Sequence, residues 1–256
     1  MRPWVIAVLS YRDLERFWKY KWWLAALVTM NLADLFIFAL IFRGIVKREL
    51  IPDYFLFLAP GIASIAAFAA AFTIGREVMM ELRRGFHHYL LSLPISRLEL
   101  VFGRIAAGMV RGIIYQTPFL LLLLVLLEPP SPHGLLAMTL ATLMIVASMS
   151  CLSIAASTLV KSLELQATIR SLLYFLAFFL SNVFYPESVI RERFPEQLYV
   201  VIVNNPISLA TSIYREVFIP EMVPPTDISA NLAKLAIWTL FLFLLGSHLY
   251  VRNLER

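Results

Sequence analysis

Cysteine is nearly missing from this chain. Cys151 is the single one among 256 residues, which excludes an intramolecular disulfide. Charge is scarce too. Asp, Glu, Lys and Arg make up 15% and hydrophobic residues 60%, whereas soluble domains run near a quarter charged and half apolar. None of the glycines is followed by lysine, which excludes a phosphate-binding loop of the P-loop type. Neither a His-Glu-x-x-His zinc motif nor a Gly-x-Ser-x-Gly nucleophile elbow occurs. His87 and His88 are adjacent, and neighbours on a helix point about 100° apart, so they read as interfacial side chains rather than metal ligands. No aromatic-and-basic constellation points to nucleic acid. The net charge of +5 fits Lys and Arg held on one side of a membrane. The residues therefore offer no catalytic group and no metal site, and the chain is not expected to be an enzyme.

What remains is apolar sequence in long runs. Six stretches are long enough to cross a hydrocarbon core of about 30 Å as helices. They run from about Trp22 to Phe42, Tyr54 to Gly75, Ile105 to Leu127, Gly134 to Val160, Thr168 to Phe184 and Leu232 to Val251. Six spans with short links leave no room for a second folded domain. The expected fold is an all-α integral membrane protein of six transmembrane helices. Residues 1–21 form a separate amphipathic helix and residues 22–256 a single transmembrane domain. In the first segment Trp4, Val8, Tyr11, Leu14 and Trp18 recur at helical spacing, with Arg12, Glu15, Arg16 and Lys19 opposite. Such a helix lies flat in the interface, either as an anchoring flank or as a docking surface. The apolar run in Met1 to Ser10 is too short, and too soon followed by charged and aromatic sequence, for a cleaved leader to be expected.

Orientation follows from the basic residues. With both termini in the cytoplasm, the inside holds Arg2, Arg12, Arg16, Lys19, Lys21, Arg76, Arg83, Arg84, Arg97, Arg104, Lys161, Arg170, Arg252 and Arg256, against Arg43, Lys47, Arg48, Arg191, Arg193 and Arg215 outside. Fourteen against six favours cytoplasmic termini.

Small residues mark the packing faces. Ala63, Ala67, Ala71 and Gly75 recur at every fourth position of the second span, and Ala147, Cys151 and Ala155 do so in the fourth. Ile65, Phe68 and Phe72 take another face, towards lipid or a bulky neighbour. Ser148, Ser150, Ser153, Ser157 and Thr158 either bond back to their own helix or line a path. Asp34 lies about 18 Å into the first span, where a lone carboxylate costs on the order of 3 kcal/mol. Arg111 is a candidate partner, with Asn31 one turn from Asp34. A polar path or gate is the competing role.

Two segments say more. One is Arg76-Glu77, then Glu81-Leu-Arg-Arg-Gly-Phe-His-His-Tyr-Leu-Leu-Ser-Leu-Pro-Ile-Ser-Arg97. The other is Ser181-Asn-Val-Phe-Tyr-Pro186, then Pro195, Asn205-Pro206-Ile207 and Arg215. With Ala59-Pro60-Gly61 they resemble, in order and spacing, the ABC-2 family of ABC-transporter permeases, over nearly the whole chain. Phe86, His87, His88 and Tyr89 depart from the polar stretch that the family commonly carries after its coupling glycine.

The resemblance implies the membrane subunit of an exporter of drugs, lipids or glycans. That subunit is a homodimer or heterodimer in the cell (plasma) membrane, with both termini cytoplasmic, and works with separate ATPase subunits. ATP and Mg belong to that partner, and no cofactor is bound by this chain. The coupling segment 76–97 docks on the ATPase, with Glu77, Glu81, Arg83, Arg84, Gly85, Phe86, Leu90 and Pro94 as its coupling residues. Gly85 permits a turn and Pro94 ends the helix. An external segment, 185–219, resembles a pair of short re-entrant helices. Asn31, Asp34, Ser181, Asn182 and Tyr185 are the candidates for a substrate path. A stand-alone channel or secondary transporter is the alternative, but it predicts inverted repeats with matching broken helices, and none is visible.

Overall fold

The computed structural model describes residues 1–19, 21–46, 51–160 and 162–254. Lys47, Arg48, Lys161 and Arg256, which enter the charge count, lie outside the described residues. Among those described the chain is helical, with no strand. Helix α1 spans Pro3–Lys19, α2 Lys21–Arg43, α3 Tyr54–Ala71, α4 Ile74–Arg83, α5 Phe86–Ser92 and α6 Arg97–Leu126. Then come α7 Pro132–Thr158, α8 Leu163–Phe179, α9 Glu187–Arg193, α10 Glu196–Val203, α11 Pro206–Phe218 and α12 Ile228–Leu254.

Among the described residues five helices are long and apolar enough to cross a membrane: Ala25–Arg43, Tyr54–Arg83 (α3 running into α4), Arg97–Leu126, Pro132–Thr158 and Ile228–Leu254. The remaining expected span, the fifth, corresponds to α8, which has 17 residues. It lies five residues earlier in the chain than Thr168 to Phe184. Ser162 fixes its start by accepting from the Leu165 amide at 3.1 Å. Just past its end at Phe179 the backbone turns to other partners: the Leu180 carbonyl accepts from Asn205 at 2.8 Å and the Asn182 amide donates to Ser208 at 3.0 Å. Where a pair of short helices was expected outside, three stand: α9, α10 and α11.

Helix α3 is the axis of the bundle. Its apolar window is 83% buried, against 11% for α12 and 17% for α2. Helices α2, α6, α7 and α11 all pack on it. The small stripe Ala63, Ala67, Ala71 and Gly75 is buried. Ile65, Phe68 and Phe72 are buried as well, so the neighbour on that face is protein rather than lipid. Phe68 stacks on Phe72 at 4.9 Å and meets Tyr174 of α8 at 5.5 Å.

The serines of α7 act as staples between helices. The Ser153 hydroxyl accepts from the Gly75 amide at 3.0 Å and donates to the Phe72 carbonyl. A side chain thus bridges the break between α3 and α4, satisfying backbone groups that the helix releases there. Ser148 bonds Thr239 of α12 at 2.9 Å, while Ser150 and Thr158 bond back within α7. Lower down, α7 and α12 touch backbone to backbone. A Cβ added at Gly246 would sit 2.7 Å from the Cys151 carbonyl oxygen.

Gly246→Val should therefore force α12 off α7, at about 1–3 kcal/mol for overpacking. Maleimide labelling in mild detergent reads this directly, because Cys151 is the only thiol and is buried. Unchanged protection of Cys151 in the variant would show that the two helices do not meet there.

Candidate coupling site

Helix α1 has two apolar stripes. Trp4, Val8, Tyr11 and Trp18 are exposed, as an interfacial helix requires. The opposite stripe, Val5, Leu9, Asp13 and Phe17, is buried against α6. Close approach is possible because position 103 lacks a side chain: a Cβ there would lie 2.8 Å from Leu9 Cβ. The Ser10 hydroxyl reaches the Gly103 carbonyl at 3.0 Å.

One member of the buried stripe is an acid. Asp13 is 1% exposed and receives Arg104 Nη1 of α6 at 2.5 Å. The other arm of Arg104 goes to Glu81 of α4, so one buried guanidinium joins three helices. Glu81 also receives Arg16 at 3.0 Å and Arg12 at 3.1 Å, and Arg16 stands 3.8 Å from Glu77. Arg111 donates to the Asp13 carbonyl and lies over the Phe17 ring at 5.1 Å. Burial first, then repulsion from Arg104, lowers the Arg12 guanidinium below its ordinary value, and Asp13 opposes the shift. Isolated charges at such depth cost several kcal/mol each, so the arrangement stands only because carboxylates and guanidinia meet with good geometry.

Beyond Glu81 the chain makes an elbow. Gly85 adopts φ +67 between α4 and α5, a left-handed conformation that costs a side chain on the order of 1 kcal/mol. Helix α5 then folds back until Pro94, whose carbonyl accepts from Arg2. Arg2 also pairs with Glu99 at 3.0 Å. Ser96 and Glu99 form a reciprocal capping box, so α6 begins at Arg97, about two turns before the expected Ile105.

The proposed coupling residues divide into two sets. Glu81 and Leu90 face inward and are buried, whereas Arg83, Arg84 and Pro94 face outward with His88 and Tyr89. Phe86 is half-buried, under Arg12 at 5.7 Å and beside Tyr89 at 5.4 Å. Glu77 is half-buried as well. The His87 and His88 rings do not splay as helix geometry alone suggested. Their centroids are 4.0 Å apart. Burial, and then His88, lowers His87 below the ordinary imidazole value.

The five candidates for a substrate path fall into two groups. Asn31 is buried and donates to Tyr115, while Asp34 is half-buried on the same helix. Among the described residues Asp34 makes no ion pair, and Arg111 is committed to α1 instead, because Asp13 and Phe17 lie closer to its end of α6. Ser181 donates to Phe178 at 2.7 Å. Asn182 donates to Ser212 at 2.8 Å and lines a cavity of about 130 Å³ with Arg215 and Thr226. Tyr185 is half-buried. These three follow the far end of α8, apart from Asn31 and Asp34.

Sequence reasoning missed Asp13 and Arg104 as partners. The signal was present: Val5, Leu9, Asp13 and Phe17 recur at every fourth residue, an acid at the centre of an apolar stripe.

Among the described residues the chain is a helical bundle of long apolar helices with an elbow between α4 and α5. The ABC-2 type transporter family matches residues 5–219, and the chain belongs to that family as a permease component. No curated protein is matched by the chain.

Breaking the cluster from one side should cost on the order of 3–5 kcal/mol, since it strands a buried charge. Asp13→Leu or Arg104→Met alone should lower the detergent melting temperature sharply and free α1 to limited proteolysis. The double variant should lose clearly less than the sum. Additive losses would mean that the two side chains are not coupled.

Proposed function

We propose that this chain is the transmembrane subunit of an ATP-binding cassette exporter, driven by ATP hydrolysed on a separate subunit. In this reading α8 is the fifth of six spans. Its 17 residues give a rise of about 26 Å, enough for a short or thinned crossing. Both termini lie in the cytoplasm of a cell carrying the protein in its plasma membrane. Residues 1–21 form the interface helix and 22–256 one transmembrane domain. Helices α9 to α11, within 185–219, form the external re-entrant segment. Two permeases, identical or different, work together. The cargo is an amphipathic small molecule, a lipid or a glycan, passing Asn31, Asp34, Ser181, Asn182 and Tyr185.

One observation supports the coupling role most directly. The elbow presents Arg83, Arg84, His88, Tyr89 and Pro94 outward, while Glu81, one turn behind, is tied through Arg104 to α1 and α6. A partner seated on the outward face therefore moves three helices at once. Glu77 and Glu81 position that surface, Gly85 shapes it, and Phe86 and Leu90 support it from within.

The test is ATPase turnover of the ATP-binding subunit encoded beside this chain, co-purified with it in lipid. Arg84→Glu with Tyr89→Ala should weaken the complex and reduce the permease-dependent change in turnover roughly tenfold, as expected for losing central interface contacts of 1–2 kcal/mol. The melting temperature of the permease should stay the same. A chain that binds no ATPase, or a double variant that couples normally, would overturn the assignment.

A further inference from the structure

Charge of both signs lines the cavity that Asn182 shares with Arg215 and Thr226. Phe57, near the start of α3, stands in its wall, so it lies at the end of the bundle opposite the elbow, into which α3 and α4 run. Helix α9 supplies Glu187 and Ser188, and α11 supplies Ser212 and Arg215. Ser188 and Pro224 are exposed, so the cavity opens to the surface beside them. Its polar groups have unmet demands. Arg215 is 3% exposed, and its bonds go to the carbonyls of Phe57, Asn182 and Val183. A guanidinium has more N–H donors than those bonds use. Glu187 Oε1 accepts from the Tyr199 hydroxyl at 2.6 Å, and among the described residues Oε2 accepts nothing. Asn182 donates to Ser212 at 2.8 Å, but its Oδ1 is buried without a partner. Buried charges and polar atoms ordinarily pair. Here a cation and a carboxylate line one cavity, yet among the described residues they form no ion pair with each other or with any third group.

We propose that this cavity binds a small zwitterion, its phosphate or carboxylate at Arg215 and its ammonium group at Glu187 and Asn182 Oδ1. The chemistry follows from the groups left over. An anionic group takes up the spare N–H donors of a guanidinium in charge-assisted bonds. An ammonium group has three donors and no acceptor, which matches a free carboxylate oxygen and an amide oxygen. A lone anion would be repelled by Glu187 and a lone cation by Arg215, so only a guest with both signs is attracted throughout. A neutral sugar lacks an aromatic platform here, because the Phe57 ring is 1% exposed and lies under Arg215 at 3.6 Å. A volume of about 130 Å³ is below that of drug-sized sites. It suits an amino acid or the headgroup of an ethanolamine phospholipid, which share this pairing of charges. The site is built within one chain and does not depend on ATPase partnering, so its failure and that of the exporter reading are separate results.

Isothermal titration calorimetry of the full chain in neutral detergent tests this with phosphoethanolamine, and with inorganic phosphate and ethanolamine as its single-charge halves. The wild type should bind phosphoethanolamine roughly tenfold more tightly than either half, as one further charge-assisted hydrogen bond provides. Glu187→Gln keeps an acceptor for Tyr199 and removes the charge. It should bring phosphoethanolamine down to the affinity of phosphate, with the melting temperature unchanged. Ser188→Phe, at the mouth, should weaken binding of every probe. Arg215→Lys should keep part of the preference; should it fail to fold, the Glu187 and Ser188 variants carry the test. Competition by dioleoylphosphatidylethanolamine in mixed micelles would support the site with a lipid headgroup as its source, and binding without such competition would support it with a free solute. Failure of the wild type to bind phosphoethanolamine, equal affinity for all three probes, or a Glu187→Gln variant that keeps the preference would overturn the proposal.

Discussion

The architecture depends on one buried guanidinium. Arg104 is 2% exposed and joins Asp13 of α1 to Glu81 of α4 across α6. A guanidinium with both arms taken by carboxylates has no lower-cost place to go, because separating it strands three charges. Helices α1, α4 and α6 therefore move as a unit or not at all. Arg12 and Arg16 extend the bond to the α1 surface, and Arg2 closes the same block at Glu99 and Pro94. A small amphipathic helix thus becomes a strut. That strut, with the apolar cluster that Val78 and Leu90 share with Val5 and Leu9, explains how an elbow of two short helices holds a fixed direction.

The opposite end uses the same residue type with a different counterpart. Arg215 is 3% exposed and bonds three carbonyls, those of Phe57, Asn182 and Val183, while lying 3.6 Å over the Phe57 ring. Carbonyl dipoles and an aromatic face stabilise a cation without neutralising it. The gain is in geometry, since the freed carbonyls beyond α8 are tied to α11 and α3 at once. Between these two arginines the bundle relies on close approach. Ser153 fills the α3–α4 break and Gly246 meets Cys151, contacts that tolerate no added methyl group.

Much of this was legible in residue order. Long apolar runs marked the spans because water cannot satisfy a backbone inside hydrocarbon, and the alanine stripe of α3 marked its buried face. The aromatic stripe of α1 and the Gly85 turn were legible for the same local reasons. What escaped was non-local. Asp13 lies 91 residues from Arg104, and nothing near either one announces the other. Asp34 drew attention because it is costly, and Arg111 was assigned to it by depth alone, although α1 lies across the end of α6 and takes it. The start of α6 was a different failure. Ser96-Arg-Leu-Glu99 is a capping box, but the span was started at Ile105, just past Arg104, instead.

Where the bundle is pinned also shows where it can move. Helices α1, α4 and α6 share an ion cluster, and α3, α7, α11 and α12 are interlocked by hydroxyls, carbonyls and close backbone contacts. Helix α2 has only 17% of its apolar window buried. Apart from Gln166 and Phe178, the residues of α8 lie at least partly open. Both lean on α3 through aromatic contacts, Phe42 on Tyr54 and Tyr174 on Phe68, which slide more readily than a shared ion pair. A displacement applied at the elbow cannot be absorbed within the clustered helices. In the proposed coupling it would appear as a shift of that block against α2 and α8. The groove between α2, α3 and α8 lies on that seam, lined by Leu27 and Met30 on one side and Tyr174 and Phe175 on the other.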